Sequence, residues 1–270
     1  MSGAVAGSVE TISRVLRSFF TAEHVAAKDG VLQRRDPRVA LLAITGLALA
    51  VVVSRTLPVV CALAALTLCL AWRSRVPIDR LLARSAVVPL ASMLVVLPQA
   101  VLMPGDALVA AFGLAVTDAG LQYVAHFTLR VGVGVALLSL LVMTTPFSQV
   151  VAALRELGVP VALVWVVAVT YRYLFLFFDE LRRLVLARNS RTTRNAGVQE
   201  GWHDARNIAG TFLLRTLERG ERVGRGMRAR GGARAPSPYG RSRALDAGDY
   251  ALGCLALAAL CASVVIRWGA

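Results

Sequence analysis

The chain has 270 residues, of which 57% are hydrophobic, and it carries a formal net charge of +14. This apolar fraction excludes an ordinary soluble domain and indicates a polytopic membrane protein. The charge is concentrated, because 15 of the 30 basic residues lie between positions 182 and 243, so we expect one polar block beside apolar spans.

Residues 1–36 carry arginines on both sides of a segment in which polar and apolar residues are mixed. They lack the continuous apolar core of a cleavable signal. We therefore expect them to remain as an N-terminal cytoplasmic or interfacial segment. Ile12, Val15, Leu16 and Phe19 recur at helical spacing, which suits either an interfacial amphipathic helix or a loosely ordered tail.

Five apolar segments are predicted to be transmembrane helices, for which about 17 to 25 residues are needed to cross the hydrocarbon. They cover 37–56, 58–72, 85–103, 121–143 and 250–268, the second being short. Asp36 and Pro37 suit the cap and first turn of the first helix, whereas Pro89 and Pro98 are expected to kink the third.

The arginine distribution predicts the topology, because arginine-rich short loops stay in the cytoplasm. The N-terminal segment and the loop 73–84 are basic, while residues 104–120 contain two aspartates and no base, so the N-terminus is placed inside. A further apolar segment, 161–178, would export the polar block if it crossed, so we expect it to lie against the inner face.

The predicted fold is thus an all-α polytopic membrane protein with about five transmembrane helices and a cytoplasmic helical domain. Residues 1–36 form the N-terminal segment and residues 37–143 four transmembrane helices. Residues 144–247 form cytoplasmic helices, and residues 248–270 the last transmembrane helix, in a multi-pass protein of the cell membrane.

Three polar residues, Gln122, His126 and Arg130, follow one another at i, i+4 positions in the fourth span and so share one helix face. A cation inside a span requires a carboxylate or carbonyl partner. The set is either an interface with another membrane subunit or a structural internal arrangement. We expect no metal site there, because the neighbours of His126 are an amide and a cation.

The inventory of catalytic motifs argues against an enzyme, since the sequence has no P-loop, no HExxH and no nucleophile elbow, and its three histidines are isolated. No cofactor is expected. Nucleic acid is not expected either, because the basic block contains only three aromatic residues, Trp202, Phe212 and Tyr239, and no RNA-module motif. The four cysteines lie in apolar segments without metal-ligand spacing, and we interpret them as small buried residues: Cys61, Cys69, Cys254 and Cys261.

Two stretches of the polar block are predicted to be amphipathic helices, each with an Ala-Arg pair near its end. The pairs are Ala187-Arg188 and Ala229-Arg230, 42 residues apart, and Gly231 can close the second helix. Gly220 and Gly224 form a GxxxG pattern that allows another helix to cross closely.

Several stretches between residues 30 and 232 together resemble the transmembrane T component of energy-coupling factor (ECF) transporters, in the cobalt-type CbiQ branch. They read GVLQRRDPRVALLA, FGLAVTDAGLQYVAHFTLRV, TTPFSQVVAALRELGVP, YRYLFLFFDELRRLVLARNSR and FLLRTLERGERVGRGMRARGG. Departures from the usual motifs are Asn189, where glycine is frequent, and Gly226 and Gly232, where alanine and an aromatic residue are common.

The resemblance implies a non-enzymatic energy-coupling subunit for cobalt or another transition-metal ion. It implies docking of Ala187, Arg188, Ala229, Arg230 and Gly231 onto two ATP-binding cassette subunits, and substrate binding by a separate S or CbiM-like membrane subunit. The alternatives are a polytopic membrane enzyme acting on lipids and a membrane anchor for a cytosolic partner.

Overall fold

The computed structural model describes residues 30–104, 107–111, 114–191, 198–231 and 245–269. The amphipathic segment predicted around Ile12 and Phe19 lies outside them. Within these residues the chain is almost entirely helical, and the prediction of an all-α membrane protein is confirmed. The chain divides into two units: a bundle unit, whose described residues are 30–153 and 245–269, and a hairpin unit, 154–231.

The elements follow one another with short connections. They are α1 Pro37–Val53, α2 Leu57–Arg73, α3 Ile78–Ser85, α4 Val87–Val96, α5 Gln99–Leu102, β1 Ala107–Ala111, β2 Leu114–Thr117, α6 Asp118–Thr144, α7 Phe147–Glu156, α8 Val161–Arg191, α9 Val198–Ala229 and α10 Ala247–Gly269.

The core of the bundle unit is formed where α1, α2, α6 and α10 bury their apolar faces. Ile44 and Leu47 of α1 and Leu137 and Leu140 of α6 are almost fully buried. The last helix packs closely on the first, because a Cβ added at Gly46 would lie 3.9 Å from the Cβ of Ala256. The chain therefore brings its first and last described helices together.

The start of α1 forms as the sequence predicts. Asp36 is the N-cap, its Oδ1 accepts a hydrogen bond of 2.9 Å from the backbone N–H of Arg38, and Pro37 occupies the first turn. The carboxylate of Asp36 is buried, so this cap is part of the packed structure.

The third predicted span begins earlier than expected and is broken into α3, α4 and α5. Helical structure starts at Ile78, and the breaks occur at Ala86 and at the Leu97–Pro98 step. Pro98 lacks the N–H that a continuous helix would use, whereas Pro89 lies inside α4. The kink predicted at Pro98 is thus a break between helices.

A short antiparallel hairpin, β1–β2, leads into α6 and was not predicted. Thr117 caps α6: its Oγ1 accepts from the N–H of Gly120 at 3.2 Å and donates to the carbonyl of Met103 at 2.9 Å. Gly120 permits this junction, because a Cβ there would lie only 2.7 Å from the Ala100 carbonyl oxygen.

Among the residues that the structure describes, four helical stretches are long and apolar enough to cross a membrane: Ile78–Leu102, Asp118–Thr144, Val161–Arg191 and Ala247–Trp268. The first two helices have 17 residues each, or about 26 Å at 1.5 Å per residue, which is at the lower limit for a span. The segment 161–178, predicted at the inner face, belongs to the continuous α8. The count of five spans remains a prediction.

The interpretation of the cysteines as buried residues is wrong. Cys61 and Cys69 on α2 and Cys254 and Cys261 on α10 are all exposed and free. Their apolar neighbours predicted burial, but in a membrane protein an apolar helix face can point to lipid as well as to the core.

Candidate functional site

The hairpin unit contains the region to which the sequence assigned its function. α8 and α9 are joined through residues 192–197 and pack antiparallel, with contacts both near that connection and farther from it. Phe177 and Phe212 meet edge to face with ring centroids 6.0 Å apart. Arg215 Nη1 donates to Glu180 Oε1 at 2.6 Å, and Arg188 pairs with Asp204.

The first predicted docking pair, Ala187 and Arg188, lies near the end of α8, and the two residues have different surroundings. α8 continues three residues past Arg188 and ends at Arg191. Ala187 is exposed, whereas the Arg188 side chain is only 17% exposed and lies against α9 in its ion pair with Asp204. The two residues of this pair therefore offer different chemistry to a partner.

The end of α9 carries the second predicted pair in an exposed turn. Helix α9 ends at Ala229, the N–H of Gly231 donates to the carbonyl of Arg228 at 3.2 Å, and Gly231 adopts φ +96°. Such a left-handed residue is the usual helix terminator, so the predicted end is confirmed. Ala229, Arg230 and Gly231 are all exposed.

Gly220 and Gly224 lie on an open groove of α9. Its walls come from seven residues of this helix: Thr216, Leu217, Gly220, Glu221, Gly224, Arg225 and Arg228. A Cβ at Gly220 would meet nothing within 4 Å, and one at Gly224 would meet only the Arg228 guanidinium. No described helix of this chain crosses there, so the predicted helix crossing remains a prediction about another chain.

An apolar stripe lies on α9 beside this groove. Trp202, Leu213, Leu214 and Leu217 are between 58% and 75% exposed, although the rest of the helix is strongly charged. An apolar patch bordered by polar residues is typical of an interaction surface. The groove and the stripe share Leu217, and this part of α9 is suited to contact with another protein.

The polar residues predicted in the membrane lie on α6 but do not form a joint site. Gln122 Nε2 donates to Asp118 Oδ2 at 2.9 Å, and Arg130 donates to the backbone carbonyl of Val52 at the end of α1. His126 Nδ1 is buried, and no hydrogen-bond partner for it is found in the described part of the chain. The expectation that Arg130 uses a carbonyl or carboxylate is confirmed.

Metal-ligand clusters are not found among the residues that the structure describes, where no three His, Cys, Asp or Glu side chains come together. The arrangement offers charged helix ends and an open groove on α9.

Sequence reasoning missed two aspartates, each of which connects two helices within one of the two units. Asp204 pairs with Arg188, and Asp249 joins the starts of α1 and α10. The carboxylate of Asp249 accepts the N–H of Asp36 at 3.2 Å and the N–H of Asp246 at 2.9 Å. The register of the α8–α9 hairpin would have revealed Asp204, but no local pattern marks Asp249, 213 residues from Asp36.

Comparison with known proteins gives two matches. The family model described as CbiQ, cobalt transport protein, matches residues 28–238. The uncharacterized protein MJ1571 of Methanocaldococcus jannaschii is 26% identical over 230 residues, which cover 83% of this chain and 79% of that protein. The match to the family model includes every helix from α1 to α9.

Proposed function

The chain belongs to the CbiQ family of cobalt transport proteins, and from this premise we propose that it is the energy-coupling transmembrane subunit of an ECF-type uptake transporter. It is a multi-pass membrane protein and a component of a transport system. Its proposed cargo is cobalt or another transition-metal ion, bound by a separate membrane subunit. The proposed location is the cell membrane with the N-terminus inside.

The proposed source of energy is a pair of ATP-binding cassette subunits. The sequence contains no phosphate-binding loop of its own, so ATP hydrolysis must be supplied by partners if the transport is active. This agrees with a subunit that transmits motion and is not an enzyme. The polytopic lipid enzyme and the simple membrane anchor have no specific observation in their favour.

The observation that carries this proposal is the exposed Ala229-Arg230-Gly231 end of α9. An arginine in such a turn can enter an acidic or carbonyl-lined groove of an ATPase subunit and form several charge-assisted hydrogen bonds. The end of α8 around Ala187 and Arg188 is the second part of the proposed docking region. Closure of the ATPases on ATP would then move these ends.

The proposed contact with the substrate-binding subunit is the face of α9 that contains Gly220 and Gly224. Its open groove and exposed leucines would accept an apolar helix at close distance. One helix would thus connect the ATPase contact at its end with the membrane partner along its side.

The test is co-purification of the ATP-binding subunits with single charge reversals at exposed arginines of α9. Arg230→Glu should reduce association strongly, because losing one partner of a desolvated ion pair costs about 2 to 5 kcal/mol. Arg225 is also exposed, but it lies on the groove and not at the end of α9. Arg225→Glu should therefore weaken binding of the ATP-binding subunits by only about 0 to 1 kcal/mol. Equal losses for both variants would contradict the docking role of Arg230.

A further inference from the structure

The two arginines of the predicted docking pairs differ in their surroundings within the hairpin unit. Arg230 is exposed beyond the end of α9. Arg188 lies in the last turn of α8, its side chain is 17% exposed, and its Nη2 donates to Oδ2 of Asp204. A residue that already has an acidic partner in its own chain is poorly placed to offer the same guanidinium to another subunit.

The ion pair belongs to a row of contacts that fix how α8 lies on α9. It is the contact nearest to the connection between the helices, and the Glu180–Arg215 pair and the Phe177–Phe212 contact lie farther along the same interface. The Arg188 cation also lies near the carbonyl end of α8, where the helix dipole favours positive charge. Both interactions hold the end of α8 in place without any partner protein.

We propose that Arg188 is a positioning residue, clamped by Asp204, that sets the place of the α8 end relative to α9, and that it is not itself inserted into the partner. The surface presented to the ATP-binding subunits at this end is then the exposed side of α8 that carries Ala187, with Arg230 as the inserted cation at the other end. This inference rests on the proposed function, because it assigns roles within the same docking region.

The clamp predicts that the charge of Arg188 can be exchanged with that of Asp204. Arg188→Asp and Asp204→Arg each place two like charges in contact and should reduce co-purification of the ATP-binding subunits by roughly tenfold or more, within the range of couplings between contacting residues. The double variant Arg188→Asp/Asp204→Arg restores the pair with reversed sign and should recover most of the association. A direct contact with the ATPase would instead make the double variant at least as defective as Arg188→Asp alone.

A second experiment distinguishes between two roles of Asp204, which are to position Arg188 or to cover a docking cation. Asp204→Ala should weaken association if Asp204 positions Arg188, whereas it should strengthen association if Asp204 covers a docking cation until the partner arrives. The matched control is Glu218→Ala, which removes an exposed acid of α9 that is not part of the groove walls and should leave association nearly unchanged. Stronger or unchanged association in Asp204→Ala would overturn the clamp.

Arg230→Glu, measured in the same assay, distinguishes failure of this inference from failure of the proposed function. If Arg230→Glu has no effect, the docking function itself is wrong. If Arg230→Glu abolishes association but the exchanged pair does not recover it, only the role assigned to Arg188 is wrong. Each variant should first be shown to insert into the membrane and to remain monodisperse in detergent, so that misfolding is not scored as lost docking.

Discussion

At the scale of single residues, Arg130 shows how a charge is accommodated in a predicted span. The last carbonyl groups of α1 have no partner within the helix. Ser54 donates its hydroxyl to the carbonyls of Ala50 and Val51 at 2.9 Å, and Arg130 of α6 donates to that of Val52. The cation thus meets the negative end of a helix dipole, which explains its presence without a carboxylate.

Replacement of Arg130 by Met should lower the thermal stability of the purified chain in detergent. The change keeps much of the side-chain length but removes the hydrogen bond to the Val52 carbonyl, and the net contribution of one such bond is typically about 0.5 to 1.5 kcal/mol. Arg55→Met, at an exposed position just after α1, is the control and should change the melting temperature little. Equal melting temperatures for both variants would mean that Arg130 contributes no more than a surface charge.

The residues that could be predicted are those whose role depends on near neighbours in sequence. Asp36 followed by Pro37 marks a helix start, and Gly231 after a charged helix marks its end. Asp204 and Asp249 escaped prediction because their partners, Arg188 and Asp36, are brought near by the fold and not by the sequence. Arg188 shows the same limit, since its motif does not reveal that it already has a partner.

At the scale of helices and strands, hydrophobicity predicted where apolar helices occur better than where they stop. α1 and α6 occupy most of the segments predicted for them. The third span and α8 extend further than predicted, because the polar residues around Arg80 and Asp179 continue a helix that the apolar window had ended. The short strands β1 and β2 gave no signal beyond a loop with two aspartates.

The pairing of α1 with α10 involves polar contacts at one end and small residues farther along. Asp249 accepts the N–H of Asp36, and the Arg35 guanidinium crosses Gly248 so closely that a Cβ there would overlap it. Farther along, Gly46 meets Ala256. These contacts make the two helices one packed pair within the bundle unit.

Cysteines introduced at Gly46 and Ala256 should therefore form a disulfide on mild oxidation. The Cβ separation of 3.9 Å falls within the range of about 3.5 to 4.5 Å that a disulfide requires. The four native cysteines are replaced by Ala beforehand, and the yield is measured by a gel shift after proteolysis between the helices. Gly46→Cys with Leu257→Cys, whose position is 62% exposed, should not cross-link; equal yields would contradict the close pairing.

At the scale of the whole molecule, composition and charge were sufficient to predict a polytopic membrane protein, and motif order was sufficient to predict its family. Both signals sum over many residues and tolerate local errors such as those at the cysteines. The number of spans could not be predicted in the same way. It depends on α8, which is apolar enough to cross and yet leads into the arginine-rich block.

These two features of α8 predict opposite topologies for everything that follows it. If the positive-inside rule dominates, α8 does not cross, and α9 stays on the same side as the basic N-terminal segment. If apolar length dominates, α8 crosses and carries the arginines of α9 to the outside. We expect the first result, because each exported arginine adds to the cost of translocating α9. If α8 lies along the membrane interface instead, its apolar part stays in contact with lipid and its polar end stays in water.

Single cysteines in a cysteine-free chain, labelled with a membrane-impermeant reagent, should decide between these topologies. Asp118→Cys, at the exposed start of α6, should react in intact cells. Leu157→Cys before α8 and Arg225→Cys on α9, both exposed, should react only after permeabilisation. Leu157→Cys serves as the internal control for the near side of α8. Labelling of Arg225→Cys but not Leu157→Cys in intact cells would show that α8 spans the membrane, and it would place the Arg230 end beyond the reach of cytoplasmic ATPases.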